Sequence, residues 1–265
     1  IKNIFLARKN LNKKIIPLLQ HKKIKYRIID NVNEEKIYKS IKKNNIDFNL
    51  LSGFPYILKK NMIASSNFGT LNLHAGKLPK YRGGSPLNWQ IINGEKNIEI
   101  SVIKIDEGID TGDIILEKRF KLKKSYNIKR VHEITNNIFP NLAYRAICQV
   151  FYKKKKLKKI NLKKSKYYPQ RKPEDGKINW NTMNSKQVFN LVRAISHPYP
   201  GAFTFNSNQD KLFIFDCKIS KMKNSNLKKN GEVKKIKNKY FIKTKRGILE
   251  IKSFRGKLKN KEVLK

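Results

Sequence analysis

Acid is what this 265-residue chain has least of: 19 Asp and Glu face 61 Lys and Arg, giving a formal net charge of +42 at pH 7. The excess is mostly lysine, spread from Lys2 to Lys265 among abundant asparagine, while arginine is scarce. Surfaces that read phosphate more often use arginine forks. The even lysine background therefore argues against a specialised phosphate-reading arm, and residues 153–156 read as a solvated linker. Cysteine is nearly absent. Cys148 and Cys217 lack metal-ligand spacing and read as two buried thiols in a reducing compartment.

Other absences narrow the chemistry. No apolar run reaches the roughly 18 residues of a membrane span, and Ile1 to Ala7 lacks the features of a secretory signal. Cytoplasm is the resulting expectation. Opening on Ile1 rather than methionine suggests a trimmed or incomplete start. There is no His-Glu-x-x-His, no paired cysteine motif and no Gly-x-Gly-x-x-Gly, and no Gly-x-Ser-x-Gly elbow for a serine triad. His21, His132 and His197 sit in separate elements, so no metal is expected.

What is present is alternation. Residues 4–7, 26–29, 48–52, 70–74 and 99–105 read as strands, and 13–20, 34–43 and 57–64 as helices. Such alternation predicts an α/β fold with a mainly parallel, Rossmann-like sheet. Ligands in these sheets bind beyond the carboxyl ends of strands. Residues 128–151 carry apolar positions at helical spacing, with Pro140 expected to kink or break the helix. Charge and turn formers follow, and residues 168–176 are expected to form no regular structure. A helix at 185–195 and short strands at 202–205, 212–219, 232–236, 240–244 and 248–251 predict a smaller, mostly antiparallel β unit. The expected organisation is a catalytic domain at 1–152, a linker at 153–180 and a C-terminal domain at 181–265.

Chemistry concentrates at the end of strand 70–74. Asn72 and His74 are two apart and share one face. An amide there can donate to a developing oxyanion, and an imidazole can donate when charged or shuttle a proton when neutral. Asp110, in Gly108-Ile109-Asp110-Thr111-Gly112, can orient the imidazole; Asp106, Glu107 and Asp113 compete for that role. Together these groups suit acyl transfer to an amine without a metal.

Asn72-Leu73-His74, Leu78-Pro79-Lys80-Tyr81-Arg82-Gly83 and Asp110-Thr111-Gly112 resemble the catalytic core of the 10-formyltetrahydrofolate-dependent formyltransferases. The resemblance implies the formyltransferase fold, with Asn72, His74 and Asp110 as catalytic trio and 10-formyltetrahydrofolate as donor. It implies that Leu78, Pro79, Arg82, Gly83, Gly108 and Ile109 help bind the folate. Gly76-Lys77 replaces the Ser-Leu that usually precedes Leu-Pro, and the family's first strand–helix unit is missing. Residues 171–180 and 193–203 resemble the branch that formylates 4-amino-sugar nucleotides. The stretch from Ala7 to Lys14 lacks the basic insertion typical of methionyl-tRNA formyltransferases. A sugar nucleotide is thus the expected acceptor, with initiator methionyl-tRNA as the alternative. The non-enzyme alternative is a degenerate nucleotide- or RNA-binding module, which need not have kept all three polar groups.

Overall fold

Apolar runs punctuated by Gly, Pro and Asn produce short elements. In chain order the first half of the computed structural model runs β1 (Ile4–Ala7), α1 (Ile15–His21), β2 (Tyr26–Ile29), α2 (Glu35–Lys43), β3 (Asn49–Ser52), α3 (Lys60–Ile63) and β4 (Thr70–His74). It continues with β5 (Arg82–Gly83), α4 (Pro86–Ile92), β6 (Asn97–Lys104) and β7 (Ile114–Lys121). The second half comprises α5 (Ile128–Phe151), β8 (Tyr167–Tyr168), α6 (Ser185–Ile195), β9 (Ala202–Phe205), β10 (Lys211–Ile219), β11 (Val233–Ile236), β12 (Lys239–Lys243) and β13 (Ile248–Arg255). The structure describes residues 1–153, 156–222 and 227–265, so the middle of the lysine run at 153–156 lies outside the described residues. Contacts divide the chain into two units. One holds Ile1–His74, Ile100–Lys118 and Phe139–Lys164, and the other holds Ala75–Glu99, Arg119–Ile138 and Ser165–Lys265.

In the first unit β1 pairs with β2 and β3 with β4, both in parallel, while β4 pairs with β6 antiparallel. The strands fall into two sheets, β1-β2 and β3-β4-β6-β7, where the periodicity suggested one. Ile29, Val32, Ile37, Ile41, Leu58 and Met62 form a buried cluster between helices and strands. Ile37 and Ile41 are four apart, so α2 presents both from one face. Burial of each contributes roughly 1.5–3 kcal/mol. Of the kink or break expected at Pro140, the break does not occur: α5 continues through it. Proline forfeits one i→i−4 bond, but Phe139, Leu142, Ala143 and Ala146 are buried around it, and their packing carries the helix across. Cys148 is only half-buried, so the reading of two buried thiols holds for Cys217 alone.

In the second unit a five-stranded sheet runs β11-β12-β13-β10-β9, with antiparallel neighbours throughout. The amphipathic α6 buries Val188, Leu191, Val192 and Ile195. Its start is fixed by a reciprocal cap: Asn184 Oδ1 accepts from Gln187 N, and Gln187 Oε1 accepts from Asn184 N. Residues 168–176 are more ordered than composition suggests. Tyr168 belongs to β8, and Pro173–Gly176 forms a 3-10 turn closed by the Asp175 carboxylate accepting from Lys172 N. The buried Trp180 donates Nε1–H to Thr204 Oγ1 at 2.9 Å, and that hydroxyl donates to Lys265 O at 2.6 Å. Four elements lay outside the periodic reading: the two-residue strands β5 and β8, together with α4 and β7. In α4, Leu87, Asn88, Gln90 and Ile91 are all buried, which erases the polar face that an amphipathic pattern needs. No helix among the described residues is long and apolar enough to cross a membrane.

Candidate active site

The strand β4 lies between β3 and β6, with Asn72 opposite Leu51 on one side and Ile103 on the other. Leu71, on its other face, is wholly buried and anchors the strand. Alternation therefore puts Asn72 and His74 together on the face away from that anchor. The strand's partner β6 leads through residues 105–113 into β7.

That connection is shaped from within. Asp106 Oδ1 accepts from Gly108 N at 3.1 Å and from Thr111 Oγ1 at 2.5 Å. A Cβ at position 112 would fall 1.9 Å from Lys104 O, so only glycine lets the loop close. Asp110 takes the left-handed conformation, φ 51°, which aspartate tolerates better than branched residues. Its Oδ1 lies 3.4 Å from His74 Nδ1 and accepts from Asn72 Nδ2, also at 3.4 Å. The His74 side chain is 5% exposed and that of Asp110 12%. Asn72, His74 and Asp110 are thus brought together on a single carboxylate oxygen.

The structure also separates Asp110 from two of its three competitors. Asp106 is occupied by the loop's own donors, and Glu107 is exposed. With Nδ1 facing a carboxylate, the neutral imidazole carries its proton there and keeps Nε2 as acceptor. The Asn72 amide has a second N–H beyond the one given to Asp110. A proton acceptor and a hydrogen-bond donor, steadied by one anion, is what acyl transfer requires. Gly108 and Ile109 lie in the same connection, and Ile109 is exposed despite being apolar.

Leu78, Pro79, Arg82 and Gly83 belong to the second unit, where they are laced to residues 165–168. Arg82 Nη1 donates to Ser165 Oγ at 2.8 Å, Lys166 N donates to Pro79 O at 3.1 Å, and β5 pairs with β8. A Cβ at Gly83, whose φ is 94°, would lie 2.2 Å from Tyr168 O. Tyr81 and Tyr168 stack at 5.1 Å, and Arg171 covers Trp89 at 4.6 Å. Glu95 accepts from Lys80 Nζ at 2.6 Å and Tyr81 Oη at 2.7 Å. Burial pushes the Glu95 pKa upward, but these donors outweigh it and hold the carboxyl below its usual range. The sequence reading missed this aromatic clasp, whose members are scattered between positions 80 and 171. His132, set aside as a metal ligand, stands 3.1 Å from Tyr199 Oη, and burial lowers its pKa.

Comparison with known proteins agrees with this architecture. The pattern described as Formyl transferase matches residues 3–147, and that of Formyl transferase, C-terminal domain, matches residues 170–264. A methionyl-tRNA formyltransferase of Thermodesulfovibrio yellowstonii is 33% identical over 243 residues, covering 89% of this chain and 71% of the relative. The bifunctional polymyxin resistance protein ArnA of Wigglesworthia glossinidia brevipalpis is 31% identical over 192 residues, 72% of this chain and 29% of that protein. Among solved structures, the sugar 3N-formyl transferase WlaRD superposes with a TM-score of 0.65 at 21% identity, covering 96% of this chain and 88% of its own.

Proposed function

The chain belongs to the formyl transferase family, and from that premise we propose that Asn72, His74 and Asp110 transfer a formyl group from 10-formyltetrahydrofolate to a primary amine. The observation that carries the reading is the shared Asp110 oxygen, 3.4 Å from both partners. An amine attacking a formyl carbon must shed a proton, the formyl oxygen gathers negative charge, and the departing nitrogen must gain a proton. Asn72 offers its second N–H to that oxygen, a donor worth about 3–4 kcal/mol when preorganised. Asp110 holds His74 with its proton on Nδ1. His74 Nε2 then accepts the amine proton and returns it to the leaving nitrogen. Gly108 and the exposed Ile109 supply contacts to the pterin, and Leu78, Pro79, Arg82 and Gly83 complete the donor-side assignment.

The acceptor we favour is an amino-sugar nucleotide. Supporting it, β1 passes through one 3-10 turn, Arg8–Asn10, and reaches α1 at Ile15 with no room for a tRNA-gripping insertion. Initiator methionyl-tRNA is the second reading, favoured by the relative matched over 89% of this chain. Parallel assays decide between them. The purified chain is supplied with 10-formyltetrahydrofolate and either a 4-amino-sugar nucleotide or charged initiator tRNA, and tetrahydrofolate release is followed. Turnover on the sugar nucleotide supports the first reading. Turnover confined to the tRNA replaces it with the second. Turnover on neither, with formate release also absent, removes the catalytic assignment.

A further inference from the structure

The paired register between β4 and β6 ends at His74 opposite Ser101. Beyond it come Ala75 and Gly76, the two residues least able to fix a backbone by their own bulk. There the fully buried side chain of Gln90, from α4, enters. Its Oε1 accepts from Glu99 N at 2.9 Å, while Nε2 donates to Glu99 O at 3.2 Å and to Ala75 O at 3.1 Å. A carboxamide has the donor and acceptor of a peptide group, so it acts as a substitute rung where the ladder stops. An apolar residue between Leu87 and Ile91 would fill the same space without touching the main chain.

We propose that Gln90 is a positioning residue, its carboxamide holding the backbone after His74 on the path that keeps the imidazole on Asp110. The proposal rests on the formyl-transfer reading above for its kinetic consequence, though not for its geometry. The constraint acts through covalent continuity: fixing the Ala75 carbonyl limits the rotation that follows the His74 α-carbon. The groups it satisfies are all main-chain atoms of Ala75 and Glu99.

The test compares the full chain with Gln90→Met, which keeps the volume and deletes the polar atoms, and Gln90→Glu, which sets a carboxylate against two carbonyls. In protein labelled with ¹⁵N-histidine, the His74 signals are identified by their loss in His74→Gln. Wild type is expected to show one Nδ1-protonated tautomer, and Gln90→Met a mixture of tautomers. Gln90→Met is further expected to lose roughly 10- to 100-fold in kcat, as small misplacements do, with the donor KM within about twofold. If Gln90→Met fails to melt cooperatively, both readouts are taken on Gln90→Glu, whose kcat relative to wild type should rise towards acid pH as its carboxyl regains a proton to donate. Unchanged His74 signals, or unchanged kcat in an active wild type, overturn the proposal. A wild type that transfers no formyl group refutes the function proposed above, and the tautomer comparison still decides the role of Gln90.

Discussion

One oxygen of Asp110 serves two donors, so removing the carboxylate releases both. Asp110→Asn is expected to lower kcat about 10²- to 10³-fold with a donor KM within about threefold, and Asn72→Ala to match it; steady-state kinetics check both. A second outcome concerns Thr135, whose buried hydroxyl has no hydrogen-bond partner. Thr135→Val removes that hydroxyl at nearly constant volume and should stabilise the fold by about 1 kcal/mol in denaturant titrations. A third concerns His132, whose folded pKa burial lowers. The unfolded chain then binds the proton first, so stability is full above about pH 6.5 and falls as pH drops towards the folded value. Melting curves should show that loss in wild type and a smaller one in His132→Asn. Asn72 and His74 were legible because strand alternation dictates their common face. The choice of Asp110 over Asp106 came from the family resemblance and not from spacing, because physically it depends on a left-handed backbone and on a loop hydrogen bond to Thr111.

Elements were readable where burial has one side. In α2 the apolar stripe is narrow and the polar face intact, and in α6 the apolar positions recur at helical spacing even though Asn190 is buried among them, so the sequence pattern and the helix agree. Where burial surrounds an element the pattern fails, as in α4 with its buried Asn88 and Gln90, satisfied by side-chain bonds no periodicity records. The unbroken α5 shows the converse, tertiary packing overriding a local breaker at Pro140. Cap and turn residues give a test at this scale. Asn184→Ala should cost about 0.5–2 kcal/mol, read from chemical denaturation. Gly112→Ala should cost more, because the added carbon meets a main-chain oxygen at 1.9 Å and must push the connection bearing Asp110 out of place. Its activity should fall further than its melting temperature predicts.

Across the whole chain, a net charge of +42 makes self-repulsion a standing load on the folded state. At 0.1 M salt, exposed like charges more than about 10 Å apart are largely screened from one another. The melting midpoint should therefore climb with ionic strength, and calorimetry at low and moderate salt would show it; a flat response would mean the lysines are already neutral in effect.

Several of the few acids are junctions. Glu95 takes Lys80 and Tyr81, Asp106 takes Gly108 and Thr111, and Asp110 takes Asn72 and His74. Such crowding makes the sequence lopsided in its tolerance. A lineage can exchange one lysine for another polar residue almost anywhere, but the loss of any of these three carboxylates strands two neighbours at once, and a saturation library of this chain should record that asymmetry.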